Sequence, residues 1–111
     1  MGTGHQPRMT IPTQLVLQVF LDDATRDRYG SDIGAEAGLP SGTVHPILAR
    51  LEGFGWLESR WEDIDPRVEG RPARRYYRLT GAGAQSAQSA VARAHRPRRG
   101  FSLPHPASGE A

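Results

Sequence analysis

The side chains of this sequence that could do chemistry are its arginines. All 14 basic residues are arginine and none is lysine, and a guanidinium group offers paired donors that match phosphate oxygens and guanine edges. Residues 1–65 hold five arginines and ten acidic residues, whereas residues 66–100 hold nine arginines and one acidic residue. A coding bias toward arginine explains the absence of lysine but not this clustering. The clustered positive charge indicates a polyanionic partner, with nucleic acid as the first candidate.

The other reactive side chains form no catalytic or metal-binding pattern. Cysteine is absent, which excludes disulfides, thiolate nucleophiles and cysteine-built zinc sites. The carboxylates fall in polar connections, and no glycine-rich loop follows a strand to hold a phosphate. The four histidines have no metal-ligand spacing and lie at positions 5, 45, 95 and 105. We therefore expect no enzyme, no metal site and no cofactor.

The length of 111 residues and the mass of 12.1 kDa predict one domain. No run approaches the ~18 consecutive apolar residues of a membrane span, and the polar residues 1–8 lack the apolar centre of a signal peptide. We expect a soluble, cytoplasmic chain without membrane contact. Residues 1–9 are predicted to be a disordered lead, and residues 96–111 a disordered tail rich in arginine and proline.

Two helices are predicted at the ends of the domain. The first covers residues 12–22 and begins after Thr10, which can cap it. The last covers residues 81–95 after Thr80. Its apolar positions 84, 87, 91 and 94 are small side chains, which bury too little area to hold a dimer alone.

Two short helices between them are typical of a helix-turn-helix. One covers residues 31–37, with Ser31 as its cap and Gly38 at its end. The other covers residues 42–53, with Ser41 as its cap. Its apolar side chains recur at helical spacing and predict one buried stripe of Val44, Ile47, Leu48 and Leu51.

Two strands are predicted after the third helix. Residues 56–62 and 74–80 alternate in polarity and should pair as a hairpin around a loop with a basic tip. The order of elements predicts a mainly α fold with a two-stranded β-hairpin, a winged helix-turn-helix plus one C-terminal helix. The aromatic residues predicted to pack in the core or on the hairpin are Phe54, Trp56, Trp61, Tyr76 and Tyr77.

Three segments resemble the PadR family, winged-helix regulators named after the phenolic acid decarboxylase repressor. They are YGSDI (29–33), LPSGTVHPILARLEGFGWLESRWE (39–62) and GRPARRYYRLTGAG (70–83), and the resemblance extends over residues 10–92. It implies a winged-helix DNA-binding domain at residues 10–80 and a C-terminal dimerisation helix at residues 81–95. It also implies a dimeric transcription factor, usually a repressor that binds a palindromic operator. In some members of the family, binding of a small ligand releases the repressor from the operator.

The sequence departs from the family pattern in three places. The tail is too short for the long dimerisation arm of larger members, which implies the short form of the architecture, with the first and last helices sharing the dimer contact. His45 stands where tyrosine is common, which alters the contacts expected there. The last helix is rich in alanine and has no tryptophan, so the sequence does not support ligand sensing through that helix. Any small-molecule effector is unknown.

The expected DNA contacts lie on three elements. The face of the third helix opposite its apolar stripe is expected in the major groove. Tyr29, just before the second helix, is expected to bond a phosphate, and the wing tip is expected at phosphates or in the minor groove. On the helix the contact residues are Ser41, Gly42, Thr43, His45, Pro46 and Arg50, and on the wing they are Arg71, Arg74 and Arg75.

Each of these residues also has a structural interpretation. In that interpretation Ser41 only caps its own helix, and Tyr29 belongs to the core. Arg50 can pair with Glu52 or Glu58, while the histidine and the wing arginines can simply face solvent.

Two functions remain open at this stage. The first is a homodimeric, sequence-specific repressor on double-stranded DNA, with half-sites ~34 Å apart. The alternative is a winged-helix module that binds another protein without specific DNA binding.

Overall fold

The computed structural model describes residues 6–94. Within that range it contains the predicted winged helix-turn-helix and the additional C-terminal helix, and none of these helices is long and apolar enough to cross a membrane. The predicted tail at 96–111, residue 95 and the first five residues of the lead lie outside the described residues. In chain order the elements are α1 (Ile11–Asp22), β1 (Arg28–Tyr29), α2 (Gly30–Ala37), α3 (Ser41–Gly53), β2 (Leu57–Trp61), α4 (Pro66–Glu69), β3 (Arg75–Leu79) and α5 (Gly81–Ala94).

The core lies between α1, α2, α3, α5 and the inner side of the sheet. The predicted stripe of α3 is buried, since its four side chains are at most 5% exposed. This burial leaves the opposite face of α3 free for contacts. The stripe packs with apolar residues of the other elements, among them Val16, Leu17, Phe20, Ile33, Leu57, Leu79, Ala87 and Val91.

The predicted start of α1 is confirmed, but those of α2 and α3 are not. The side chain of Thr10 accepts the backbone N–H of Thr13, as a cap should. At α2 the N-cap is Tyr29 rather than Ser31, without a side-chain bond. At α3 it is Pro40, whose carbonyl accepts two backbone N–H groups of the first turn, so Ser41 is the first helical residue and not the cap.

The sheet has three strands rather than the predicted two. The hairpin of β2 and β3 is present, and β1 pairs antiparallel with the free edge of β3 in the order β1-β3-β2. β1 contains only Arg28 and Tyr29, which pair with Tyr77 and Tyr76. Two residues are too few to produce an alternating pattern, so the sequence carried no signal for this strand.

Alternation divides the sheet into two faces. The inner face points toward the helices, since Leu57 and Leu79 pair with each other there and both are buried. The inner face comprises Arg28, Leu57, Ser59, Trp61, Arg75, Tyr77 and Leu79, and the outer face comprises Tyr29, Glu58, Arg60, Tyr76 and Arg78.

Two of the aromatic residues predicted for packing are exposed instead. Trp56 is buried at 7% exposure, but Trp61 is 60% exposed and Phe54 is 40% exposed. Trp61 is on the inner face, yet it pairs with Arg75 at the far end of the hairpin, beyond the helices that cover Leu57. The loop beyond it contains α4, a short helical turn that ends at Gly70 with a positive φ of 73°.

Replacing Thr80 with alanine is expected to lower the free energy of unfolding by about 1 kcal/mol. The Thr80 hydroxyl accepts the backbone N–H of Gly83 at 2.8 Å and donates to the carbonyl of Gly55 at 2.9 Å, so it caps α5 as predicted. Thermal or urea denaturation measures the change. Ser31→Ala is the matched control, because Ser31 is exposed and caps nothing in the structure. Equal losses in the two variants would contradict this assignment of caps.

Candidate nucleic-acid interface

The outward face of α3 presents the residues predicted for it. Thr43 is half-buried, and the other five predicted contact residues of this helix are exposed. The first turn of α3 contains no acidic residue, so its free N–H groups and positive dipole end suit a phosphate. Pro46 lies inside the helix and has no N–H for the carbonyl of Gly42, which therefore lacks its helical donor. The exposed predicted residues are Ser41, Gly42, His45, Pro46 and Arg50.

The imidazole of His45 joins this face to the start of α2. A Cβ atom built on Gly30 would lie 2.9 Å from Cε1 of His45. The ring therefore lies directly on the backbone of Gly30, and a side chain at that position would displace it. Since Gly30 follows Tyr29, His45 connects the recognition-type helix with the Tyr29 region.

Tyr29 in turn contacts the wing. The Arg74 guanidinium lies 4.6 Å from the centroid of the Tyr29 ring, and its Nη1 donates to the Tyr29 hydroxyl at 3.3 Å. The rings of Tyr29 and Tyr76 meet edge to face with centroids 5.5 Å apart. Tyr29 is thus on the outer face of the sheet and not in the core. The start of α2, the exposed face of α3 and the base of the wing form one continuous surface.

Arg71 is directed back into the wing rather than toward solvent. Its guanidinium forms two hydrogen bonds with the Glu62 carboxylate, at 2.7 and 3.0 Å. Glu62 also accepts the backbone N–H of Arg74 at 3.2 Å and the hydroxyl of Tyr76 at 3.4 Å. The bonds from Arg71 lower the pKa of Glu62 from 4.5 to about 2 against the opposing effect of desolvation, with the Arg74 backbone N–H adding to the lowering. The same pairing raises the pKa of Arg71.

Arg75 lies on the opposite face of the hairpin from Arg74. Its Nε donates to Ser59 at 3.1 Å, and its Nη2 is 3.7 Å from Glu52 of α3. The guanidinium also lies 5.2 Å from the Trp61 ring centroid. The structure therefore brings Arg74 next to Tyr29 but leaves Arg75 near the C-terminal half of α3.

The two carboxylates proposed as partners of Arg50 have other partners. Glu52 accepts from Ser59 at 2.6 Å and lies near Arg75, while Glu58 pairs with Arg78 at 3.1 Å. Among residues 6–94, none of the ion pairs involves Arg50. Its exposed guanidinium is available for an outside partner.

Two arginines that the sequence reasoning did not single out lie on the outer face. Arg60 lies 5.1 Å from the Tyr76 ring centroid and pairs with Asp27, which also lies 3.8 Å from Arg78. Aligning β2 and β3 in register would have found them, because alternation puts positions 60, 76 and 78 on one face.

The wing loop, residues 62–75, carries no net charge, although its tip is basic. Four arginines between residues 62 and 75 are matched by four acidic residues. The larger part of the positive excess of residues 66–100 therefore lies beyond the wing loop, at Arg78, Arg93, Arg96, Arg98 and Arg99. In the wing the basic residues are Arg67, Arg71, Arg74 and Arg75, and the acidic residues are Glu62, Asp63, Asp65 and Glu69.

The bonds of Glu62 are expected to stabilise the fold at neutral pH and to be lost only in strong acid. The folded chain holds the pKa of Glu62 at about 2, below its usual 4.5, so the stabilisation is complete above the usual value and disappears as the pH falls toward 2. Urea unfolding measures this stabilisation as the difference in the free energy of unfolding between the wild type and Glu62→Gln. The difference should be constant from about pH 6 to pH 8 and should shrink in acid. A difference that is independent of pH would contradict the assignment.

Within residues 6–94, no group of three or more histidine, cysteine or acidic side chains is arranged to hold a metal ion. The surface around α3 offers hydrogen-bond donors, cationic groups and the N-terminus of a helix, which are groups suited to an anionic polymer.

Comparison with known proteins agrees with the fold described above. AbfR, in a crystal structure of its overoxidized form bound to DNA, is 30% identical to this chain, with a TM-score of 0.60 over 78% of this chain and 57% of AbfR. The protein smu.1704 from Streptococcus mutans is 25% identical, with a TM-score of 0.59 over 75% of this chain and 74% of that protein. The chain thus spans little more than half the length of AbfR. A search of the curated proteins finds no match.

The family model of the PadR-like transcriptional regulators matches residues 23–89, which is more than half of the chain. That match includes α2, α3, the whole wing and most of α5. The resemblance seen in the sequence is confirmed: the chain belongs to the PadR-like family of transcriptional regulators.

Proposed function

We propose that this chain binds double-stranded DNA sequence-specifically, as a homodimeric repressor on a palindromic operator. The observation that carries the proposal is the exposed face of α3, which is free of acidic residues in its first turn and continuous with Tyr29 and Arg74. AbfR, which shares the fold at 30% identity, has been crystallised with DNA. We further propose that the protein acts in the cytoplasm.

In this proposal the exposed face of α3 enters the major groove. Arg50 and Thr43 then reach base edges, while Ser41 and the helix N-terminus meet a phosphate. Tyr29 reaches the neighbouring backbone, and Arg74 holds the Tyr29 ring in position through the cation–π contact. Arg71 acts indirectly, because its bonds to Glu62 fasten the base of the wing.

The homodimer is supported by an apolar strip on α1. Ile11 is 66% exposed and Leu15 is 39% exposed, one helical turn apart, and α5 packs beside α1. Apolar side chains exposed in this way are typical of a protein interface. Sedimentation should give a mass about twice the 12.1 kDa of one chain. A monomer at the concentrations that saturate DNA would contradict the dimer.

Titration of the DNA upstream of the protein's own coding sequence tests the proposal. Fluorescence anisotropy should show binding about a thousandfold tighter than to a scrambled duplex of equal composition. The logarithm of the affinity should fall linearly with the logarithm of the salt concentration. Equal affinity for the two duplexes would overturn the proposal.

The protein-binding alternative has one observation in its favour. The wing loop of residues 62–75 has no net charge and exposes Val68 at 77%, and Trp61 next to it is 60% exposed. Tryptophan is enriched at the centres of protein interfaces. Under this alternative, the wild type binds both duplexes equally and a protein partner is lost on replacing Trp61.

A small-molecule effector stays a prediction without an assigned site.

Arg74→Ala is expected to weaken specific DNA binding about tenfold, and Arg75→Ala about threefold or less. Arg74 orders Tyr29 at the proposed interface, whereas Arg75 contacts Ser59, Glu52 and Trp61 on the other face. Since each variant removes one positive charge, a general electrostatic effect would be equal in both. Anisotropy at fixed salt measures the ratio, and equal losses would contradict the different roles.

A further inference from the structure

Arg28 is a buried charge with an unusual set of partners. Its side chain is 2% exposed, and one terminal nitrogen donates to both carboxylate oxygens of Glu36, at 2.9 and 2.8 Å. Within residues 6–94, its Nε is the one buried side-chain nitrogen or oxygen that has no hydrogen-bond partner. Glu36 remains 42% exposed. The pair is thus buried at one end and open to water at the other.

Stability alone is a poor explanation for such a pair. Removing a guanidinium from water is unfavourable, and the unpartnered Nε adds to that. Replacing both members of a buried ion pair with uncharged groups of similar volume is often neutral or stabilising. Buried ion pairs can instead specify one arrangement of the elements they connect, so the elements joined by Arg28 and Glu36 indicate the role of the pair.

The pair closes the corner between β1 and α2. Arg28 belongs to β1, and Glu36 lies in the last turn of α2. β1 consists of two residues and pairs with one strand only, and no side chain caps the start of α2. Neither backbone element is strongly held by itself. The Arg28–Glu36 bonds therefore define the angle at which the chain turns from the sheet into the helix.

The residues at that corner are those of the proposed interface. Tyr29 contacts Arg74 and Tyr76, and the imidazole of His45 packs against the backbone of Gly30. A change in the corner would move Tyr29 and the start of α2 relative to α3. The core residues of α1 and α3 would remain packed, since they contact one another without β1.

We propose that Arg28 and Glu36 are a positioning pair, which holds Tyr29 and the start of α2 in the geometry required for DNA binding. The DNA part of this inference rests on the proposed function, but the structural part does not. The pair contributes order at β1 more than it contributes to the global stability of the fold.

The double variant Arg28→Met/Glu36→Gln tests the pair, because it removes both charges and nearly keeps the volumes. Its thermal unfolding midpoint is expected at or above that of the wild type. Hydrogen exchange of the β1 amides should accelerate about tenfold, with the amides of Phe20 and Leu48 unchanged. Affinity for the upstream duplex should fall about tenfold. The slope of the logarithm of affinity against the logarithm of salt concentration should become shallower by the amount that corresponds to about one phosphate contact. Arg28→Lys, which keeps a charge and a donor, should recover part of the affinity.

The control is Glu58→Gln, which breaks an exposed ion pair of the outer face and keeps Arg78 beside Asp27. It should leave exchange at β1 and DNA affinity within about twofold of the wild type. Two results would overturn the inference: wild-type exchange and affinity in the Arg28→Met/Glu36→Gln variant, or faster exchange spread evenly over the core with a lower midpoint. If the wild type does not prefer the upstream duplex, the proposed function fails, and local exchange at β1 still decides the role of the pair.

Discussion

Glutamate in place of Gly42 is expected to abolish specific DNA binding and to leave the fold as stable as before or more so. Gly42 is exposed in the first turn of α3, and a Cβ atom built on it meets nothing within 4 Å. Replacing a helical glycine with a better helix former contributes about 0.5–1 kcal/mol. An acidic side chain near a helix N-terminus adds about 0.3–1 kcal/mol.

The same carboxylate would oppose DNA at the point where the proposal has a phosphate. Bringing like charges together at an interface is unfavourable by several kcal/mol, so affinity for the upstream duplex should fall by about a hundredfold or more. Anisotropy titration measures the affinity, and urea unfolding measures the stability. The two quantities should change in opposite directions, a result that general damage to the protein cannot produce.

Gly81→Glu is the matched control for this experiment. Gly81 is also exposed in the first turn of a helix, α5, and its Cβ position is also open, so the variant has the same change in composition and charge. Because α5 carries none of the proposed DNA contacts, DNA affinity should fall less than about tenfold. Equal losses from Gly42→Glu and Gly81→Glu would contradict a specific role for the N-terminus of α3.

Much of this surface follows from local sequence patterns. The apolar spacing of α3 identified both its buried stripe and its free face, because a helix has one face for the core and one for solvent. The caps at Thr10 and Thr80 and the left-handed Gly38 were also predictable, since each depends on one residue and its neighbours. The helices α1, α2, α3 and α5, the hairpin of β2 and β3, and their order were therefore accessible without the structure, whereas β1 and α4 were not.

The side-chain partners of the wing were not accessible in the same way. Arg71, Arg74 and Arg75 are close in sequence, yet they bond to Glu62, Tyr29 and Ser59. Which partner each one meets depends on the register of β2 with β3 and on the presence of β1. A difference of one residue in register exchanges the two faces of a strand. Sequence proximity suggested one basic tip, whereas the folded chain separates these residues.

Gly83→Ala is expected to have the largest effect on stability. A Cβ atom at Gly83 would lie 2.1 Å from the carbonyl oxygen of Trp56 and 2.7 Å from two other backbone atoms of that residue. Backbone cannot rotate away as a flexible side chain can. The Trp56 carbonyl also accepts the backbone N–H of Thr80 at 3.0 Å, so a shift would disturb the start of α5. We expect a loss of about 3 kcal/mol and a fall in Tm of about 10 °C or more.

Gly81→Ala separates this close contact from the general effect of adding a methyl group to α5. Gly81 begins the same helix, and a Cβ atom there meets nothing within 4 Å, so its replacement should change stability by less than about 0.5 kcal/mol. Because α5 packs on α1 beside Ile11 and Leu15, a displaced α5 should also weaken the proposed dimer. Gly83→Ala should then show a lower Tm in calorimetry and a higher dimer dissociation constant in sedimentation, while Gly81→Ala changes neither. Wild-type values of Tm in Gly83→Ala would mean that α5 does not lie against Trp56 as the structure has it.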